Sequence, residues 1–233
     1  MSQRRVLIFG STGYIGGCLY EYFAHVLQHK TTVVCGVYEG HGAGHDANSA
    51  HCNFDNISEL VAVEPFDAVI WAQGANINDN IHDFDTAEFS KIMDANVTFI
   101  LETMQFLLSN NKIARSANLV IISSIWETNV RTNKLSYSIS KAALSSLVKS
   151  AAADLSRLGI RINNVLPSVI DNEMTRRTMS AEQIQRIKMS TGFERLIDIE
   201  DIRVLVKFLV LNNTGISGQS IKVDLGMTNI TAI

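Results

Sequence analysis

Four apolar residues, Val6-Leu7-Ile8-Phe9, run straight into Gly10, and glycines recur at 13 and 16 as a helical pattern begins at Ile15. Glycine tolerates positive φ and lets other groups approach the backbone closely, so this spacing suits a buried strand that turns sharply into a helix. The alternation continues along the chain. Short apolar runs predict further strands at 32–38, 51–54, 67–72, 119–124, 160–166 and 220–224, and helical patterns fall at 15–29, 86–108, 137–158 and 199–211. Strands alternating with helices imply βαβ units and a parallel sheet covered on both faces. The expected fold is α/β, a doubly wound three-layer sandwich around a central, mostly seven-stranded parallel sheet.

The 233 residues suit one domain of the larger α/β kind or two small ones, and no repeat or composition break divides them, so 1–233 is expected to be a single domain. With 46% hydrophobic and 18% charged residues the chain is not of the disordered class. Twenty basic against 23 acidic residues give a net charge of −3, which offers no footprint for nucleic acid or an anionic membrane. Three cysteines argue against a disulfide scaffold and for a reducing, cytoplasmic setting. No apolar stretch approaches the ~18 residues of a transmembrane helix. The N-terminal apolar run stops after four residues, where a secretory core needs about 7–15.

Two segments break the rhythm. Residues 39–50 form a polar, Gly-rich loop, and 171–198 carry scattered apolar residues with a helix expected from Ser180, whose spacing to Gln183 suits a capping box. Long segments of this kind in compact folds often act as lids or binding loops, so 171–198 is the expected substrate loop. His41, His45 and His51 gather near Cys52, but polar loop histidines account for them and no metal is expected.

The glycine turn, Gly10, Ser11, Thr12, Gly13, Tyr14, Ile15 and Gly16, lies where a dinucleotide fold places its pyrophosphate, at a helix N-terminus. The same pattern also serves tight helix–strand packing. Asp55, with Asn56 beside it, ends the third strand, where an Asp serves either as a plain turn residue or as a contact to an adenine edge. Beyond the second strand stands Glu39, with no Arg or Lys nearby. An acidic residue there favours the ribose hydroxyl of NAD and a basic one the phosphate of NADP, so the cofactor is NAD(H) or NADP(H), with a lean to NAD(H).

Tyr137 and Lys141 are one turn apart on a predicted helix and share a face. A neighbouring ammonium lowers a phenol from its ordinary pKa near 10 and makes it usable as a general acid or base. Ser124 ends the strand thirteen residues earlier, where a parallel sheet holds its ligands, and its hydroxyl can donate to a developing alkoxide. Asn96, in the preceding long helix, reads either as a satisfied buried amide or as the anchor of a water linked to Lys141.

Over nearly its whole length the chain resembles the short-chain dehydrogenase/reductase family, in particular its 3-oxoacyl-[acyl-carrier-protein] reductase-like branch. Gly10 to Gly16 resembles the family's glycine turn, Trp71-Ala72-Gln73-Gly74 its Asn-Asn-Ala-Gly segment, and Asn96, Ser124, Tyr137 and Lys141 its catalytic tetrad in order and spacing. Residues 161–174, with Pro167, resemble the strand and turn beside the nicotinamide. Phe9, Trp71, Gln73, Ser168 and Asn172 depart from the family pattern. The resemblance implies a Rossmann-type fold and interconversion of a ketone or aldehyde with an alcohol by hydride transfer. Tyr137 would be the general acid/base, Ser124 would orient the oxygen, and Lys141 would hold the nicotinamide ribose and depress the Tyr137 pKa. Asn96 would complete a proton relay. Ala72, Gly74, Pro167, Ile170 and Asn172 would join the cofactor contacts.

Ile125, Trp126 and Met174 are the expected substrate-pocket residues, while Arg131 and Lys134 read either as part of a solvated loop or as partners of an anionic substrate. The expected partner is a small-molecule or carrier-bound carbonyl substrate, with no nucleic acid and no membrane, and the resemblance adds a homo-oligomer, tetramer or dimer, packed through 86–108 and 137–158. The competing expectation is a non-catalytic NAD(P)-binding sensor or scaffold on the same fold.

Overall fold

The computed structural model describes residues 3–27, 31–37 and 50–229; at 31–37, 50–56 and Thr178 it describes the backbone alone. Strand β1 (Arg4–Phe9) is followed by α1 (Tyr14–Glu21), which ends in a π-turn at Tyr22–Val26. β2 (Thr31–Val37), β3 (Ala50–Asn53) and β4 (Phe66–Trp71) come next, with a 3-10 stretch, Phe54–Ala62, between the last two. α2 (Thr86–Met93) and α3 (Phe99–Ser109) precede β5 (Ile113–Ile122), and α4 (Leu135–Leu155) precedes β6 (Arg161–Pro167). α5 (Glu173–Thr178), α6 (Ala181–Met189), α7 (Ile199–Leu211) and β7 (Ser220–Val223) complete the order.

One seven-stranded sheet has the order β3-β2-β1-β4-β5-β6-β7, with every neighbouring pair parallel. The chain winds outward in both directions from β1 and β4, and a doubly wound sheet opens its ligand crevice at such a reversal. The expected α/β architecture is present. Side chains alternate across a strand, so β1 sends Leu7 and Phe9 into one layer and Val6 and Ile8 into the other. The first pair packs with Val97, Phe99, Met104, Leu144 and Val148, and the second with Leu19, Phe23, Ile202 and Val206. This two-sided burial is why a central strand reads as an unbroken apolar run.

Two departures from the family pattern explain each other. The Phe9 and Trp71 rings stack at 6.0 Å and Phe99 meets Phe9 edge-on at 5.5 Å. The Trp71 indole donates to the Thr103 hydroxyl at 2.8 Å, so large side chains replace small polar ones without an unsatisfied donor.

Some boundaries differ from expectation. The helix expected at 86–108 is α2 and α3 joined by a π-turn, Asp94–Thr98, that carries Asn96. β5 starts six residues early: Phe66 pairs with Ile113, Ala68 pairs with Asn118, and the exposed Arg115 and Ser116 sit in the bulge between. Period-2 patterning conceals a strand interrupted in this way. α5 is an additional helix; its cap is Asn172, which accepts from the Thr175 amide at 2.8 Å. The Ser180–Gln183 capping box starts α6 as its spacing implies. Among the described residues no helix is long and apolar enough to cross a membrane.

Candidate active site

The site is assembled where β4, β5 and β6 end. Ser123 donates its amide to the Val165 carbonyl at 2.8 Å. Ser124, buried and extended, then caps a single 3-10 turn, Ile125–Glu127, accepting from the Trp126 amide at 3.3 Å. Lys134, the residue before α4, provides no side-chain cap. The cap comes from across the loop: Asp79, itself buried, accepts from the Ser136 amide at 3.1 Å and from its hydroxyl. Asp79 thereby fixes the first turn of α4 and the direction in which Tyr137 leaves it.

Tyr137 shares a hydrogen bond with Ser124, which favours the phenolate, but burial acts more strongly and raises the phenol above its ordinary value. The Lys141 ammonium stands 5.6 Å from the Tyr137 ring centroid and donates to the Ile122 carbonyl at 3.3 Å. Lys141 is 4% exposed, and burial brings it down from 10.5 to about 8, opposed by the charge of Glu127. The depression of Tyr137 by Lys141 that the resemblance implies is therefore not the prevailing effect; desolvation is.

Asn96 is buried and its amide is fully engaged with protein groups. Its oxygen accepts from the Ala75 amide at 2.7 Å, and its nitrogen donates to the Ala75 carbonyl at 3.0 Å and the Ser140 hydroxyl at 2.9 Å. Asn96 thus ties the segment after β4 to α4 one turn beyond Tyr137, a positioning role in keeping with the satisfied-amide reading.

The glycine turn fits a dinucleotide. Gly10 has φ +79°, and its carbonyl accepts from the Gly13 amide at 3.0 Å. α1 follows Gly13 with neither a side-chain cap nor an acidic residue in its first turn, so its N-terminal N–H groups face an incoming anion uncontested. At Gly74, a Cβ would lie 3.1 Å from the Asn96 oxygen and 3.6 Å from the Lys141 ammonium; glycine keeps the approach to Lys141 open. Both amide atoms of Gln73, next to the Gly10 turn, are buried without a partner among the described residues. Such orphans suit a polar ligand in the crevice, and sequence reasoning missed them because Gln73 only looked like a departure. Ala72 joins the β4 end to β1 through the Phe9 carbonyl at 2.9 Å. Ser11 and Thr12 lie on the turn, Ile15 and Gly16 open α1, and Pro167 closes β6.

Tyr14 and Asn172 line one cleft of about 560 Å³ with Glu173, Met174 and Arg177, so the glycine turn and the head of 171–198 meet there. Met174 belongs to this cleft and not to the cavity at Trp126. That second cavity, of about 210 Å³, is lined by the apolar Trp126, Val169, Met179, Ile187 and Met227 together with Arg131, Gln183 and Arg186. Ile125 is buried in the interior and lines neither. Lys134 is occupied by the Asn76 side chain at 2.7 Å and the Ile77 carbonyl. Ile170 bridges to Ile197 and packs into the core. The side chains of Asp55, Asn56, His51 and Cys52, and residues Glu39, His41 and His45, lie outside the described residues.

Glu127, three residues past Ser124, is 6% exposed and hydrogen-bonded to Asn164 and Ser220, a burial that nothing in its local sequence signals.

Residues 46–228 match the family profile described as Enoyl-(Acyl carrier protein) reductase. The chain is 27% identical to the 3-oxoacyl-[acyl-carrier-protein] reductase FabG of Rickettsia bellii, over 97% of this chain and 98% of that protein. It is 27% identical to the human (3R)-3-hydroxyacyl-CoA dehydrogenase over 78% of this chain and 70% of that one. In fold it resembles a gluconate 5-dehydrogenase from Burkholderia cenocepacia, solved in complex with NADP and tartrate, with a TM-score of 0.85, 21% identity and coverage of 99% and 97%.

Proposed function

We propose that this chain, which belongs to the short-chain dehydrogenase/reductase family and is an NAD(P)-dependent oxidoreductase, interconverts a ketone or aldehyde with an alcohol through Tyr137. The observation that carries this reading is the Tyr137–Ser124 hydrogen bond at the sheet's C-terminal edge, with the Lys141 ammonium 5.6 Å from the same ring. The nicotinamide cofactor supplies or accepts the hydride. Gly10 to Gly16 and the α1 N-terminus would hold its pyrophosphate, the opening at Gly74 would admit its ribose to Lys141, and Pro167, Ile170 and Asn172 would flank its nicotinamide. Asp55 and Asn56 would serve the adenine and Glu39 would favour NAD(H), on sequence position alone.

In the reductive direction the Tyr137 hydroxyl gives its proton to the substrate oxygen, and Ser124 donates to the same oxygen and holds it in line. A phenol raised by burial is protonated at neutral pH, the form a general acid needs. Lys141, charged below about pH 8, stabilises the phenolate left behind and recruits the replacement proton.

The substrate enters the cavity at Trp126. Its apolar lining and its two arginines, Arg131 and Arg186, suit a carbonyl on an apolar chain carrying an anionic group, either a small molecule or one bound to a carrier. The acyl-carrier and acyl-CoA names of the two relatives agree with that chemistry. The exposed Leu101 on α3 and Ile139 on α4 support a homo-oligomer packed through these helices. The test is consumption of NADH and NADPH by the purified chain across a panel of ketones, aldehydes and acyl thioesters. Cofactor binding without turnover of any member, together with a Tyr137→Phe variant indistinguishable from the parent, would leave the sensor reading in its place.

A further inference from the structure

We propose that a polar cavity just before α4 is an oxyanion subsite for the substrate, with Arg131 and Lys134 as its cations. The cavity has a volume of about 480 Å³, and Asn78, Thr132, Asn133 and Gln183 line it together with both cations and with Asp79 and Asp83. Arg131 and Gln183 also line the apolar cavity at Trp126, so the two spaces share a wall. Lys134 joins the polar space to the reacting phenol, because its ammonium stands 5.7 Å from the Tyr137 ring centroid. Asn133 lies in the left-handed region at φ +59°, a conformation that Asn tolerates, and this turn leads Lys134 into α4. The substrate selected by this arrangement is a carbonyl compound that also bears a carboxylate or a phosphate.

The charges around this cavity are unequally committed. Asp79 accepts from the Ser136 amide and hydroxyl, and Asp83 accepts from the Asn80 amide at 2.7 Å. Neither carboxylate forms an ion pair with Arg131 or Lys134 among the described residues. Arg186, the other arginine near Trp126, is already paired with Glu182. Lys134 gives two of its three N–H donors to the Asn76 side chain at 2.7 Å and the Ile77 carbonyl at 3.2 Å, which leaves one for a ligand. Burial and the charge of Arg131 both push Lys134 below its ordinary value, opposed by Asp79, and an anion between two such cations relieves their repulsion. The Gln183 oxygen accepts from the Ser180 amide at 2.9 Å, so its N–H₂ remains to donate beside the Asn78 amide and the Thr132 hydroxyl. An oxyanion only accepts hydrogen bonds, and it matches a wall of uncommitted donors with two cations among them.

The inference rests on the proposed carbonyl chemistry at Tyr137, but one arm of its test needs no turnover. Malonate and inorganic phosphate are titrated into the cofactor-free parent, Lys134→Met and Arg131→Gln, following the Lys134 side-chain 13C–1H and Arg131 Nε–H resonances that each protein retains. Saturable shifts are expected in the parent, with affinity for the bound anion about tenfold weaker or more in each variant, as loss of a charge-assisted contact implies. Arg131 is exposed and carries no backbone contact to lose, so Arg131→Gln reads the site even if Lys134→Met does not fold. In the second arm, kcat/KM for 3-oxobutanoate is compared with that for its methyl ester. The 3-oxobutanoyl thioester of phosphopantetheine is likewise compared with that of N-acetylcysteamine. The first pair reads a carboxylate next to the carbonyl, and the second a phosphate on a longer arm. The parent should favour the anionic member of one pair by about tenfold, and each variant should bring that ratio toward one. No saturable shift in the parent, parity within both pairs, or a preference that both variants keep overturns the inference, while turnover of the neutral members leaves the proposed function in place. Anion binding that both substitutions weaken, in a protein that turns over no carbonyl, would sink the proposed function and leave the oxyanion site standing.

Discussion

The Lys141 ammonium lies 5.6 Å from the centre of the Tyr137 ring while its hydrogen bond goes to the Ile122 carbonyl, 3.3 Å away. The lysine is held beneath the phenol by the sheet edge, and burial lowers it to about 8 from 10.5. Between those two values the unfolded chain binds the proton that the folded chain has released, so the stability of the parent rises with pH across that window. Lys141→Met removes the cost of the buried charge. At ~1.4 kcal/mol for each tenfold loss of proton affinity, less about 1 kcal/mol for the lost Ile122 hydrogen bond, the variant should be more stable by roughly 2 kcal/mol at pH 7. The gain should shrink as pH rises from 8 toward 10.5. Denaturant unfolding across that range checks both the sign and the window.

Tyr137→Phe removes the proton donor and keeps the ring above Lys141. A positioned general acid is worth about 10²- to 10⁴-fold, and kcat/KM should fall by that factor. Cofactor affinity, followed by fluorescence titration, should change by less than about threefold.

Asp79 caps α4 from another segment. Asp79→Ala strands the Ser136 amide and hydroxyl and should cost about 2 kcal/mol, with Asp79→Asn restoring most of it because its amide oxygen still accepts. Since Tyr137 is the next residue, kcat should drop in Asp79→Ala even at temperatures where it stays folded. Urea unfolding and steady-state rates on the same samples separate the two effects.

The glycines divide by what surrounds them. A Cβ on Gly16 would stand 2.1 Å from the Gly10 carbonyl oxygen, whereas one on Gly215 meets nothing within 4 Å. Gly16→Ala must displace backbone and should lose roughly 2 kcal/mol or more along with cofactor binding, while Gly215→Ala should stay within about 0.5 kcal/mol of the parent. Gly74→Ala, with its Cβ 3.6 Å from the Lys141 ammonium, should weaken the cofactor more than it lowers the melting temperature.

The local patterns carried the fold a long way. Val6 to Phe9 announced a strand buried on both faces, the Tyr137/Lys141 spacing put both side chains on one helix, and α7 covers the residues its periodicity implied. These features depend on repeats of 2 and 3.6 residues, which a sequence displays directly. The π-turn that carries Asn96 and the bulge that interrupts β5 leave no period to read.

By itself the sequence determined the α/β layering and the order of the glycine turn, Ser124, Tyr137 and Lys141, because these follow from neighbours along the chain. Only the tertiary structure decided the state of those residues. Burial, not sequence distance, raises Tyr137 and lowers Lys141, and Glu127 meets Asn164 37 residues away and Ser220 93 residues away. Desolvation and long-range hydrogen bonding exist only once separate strands have been brought together, so the charges that tune the site have no signature along the chain.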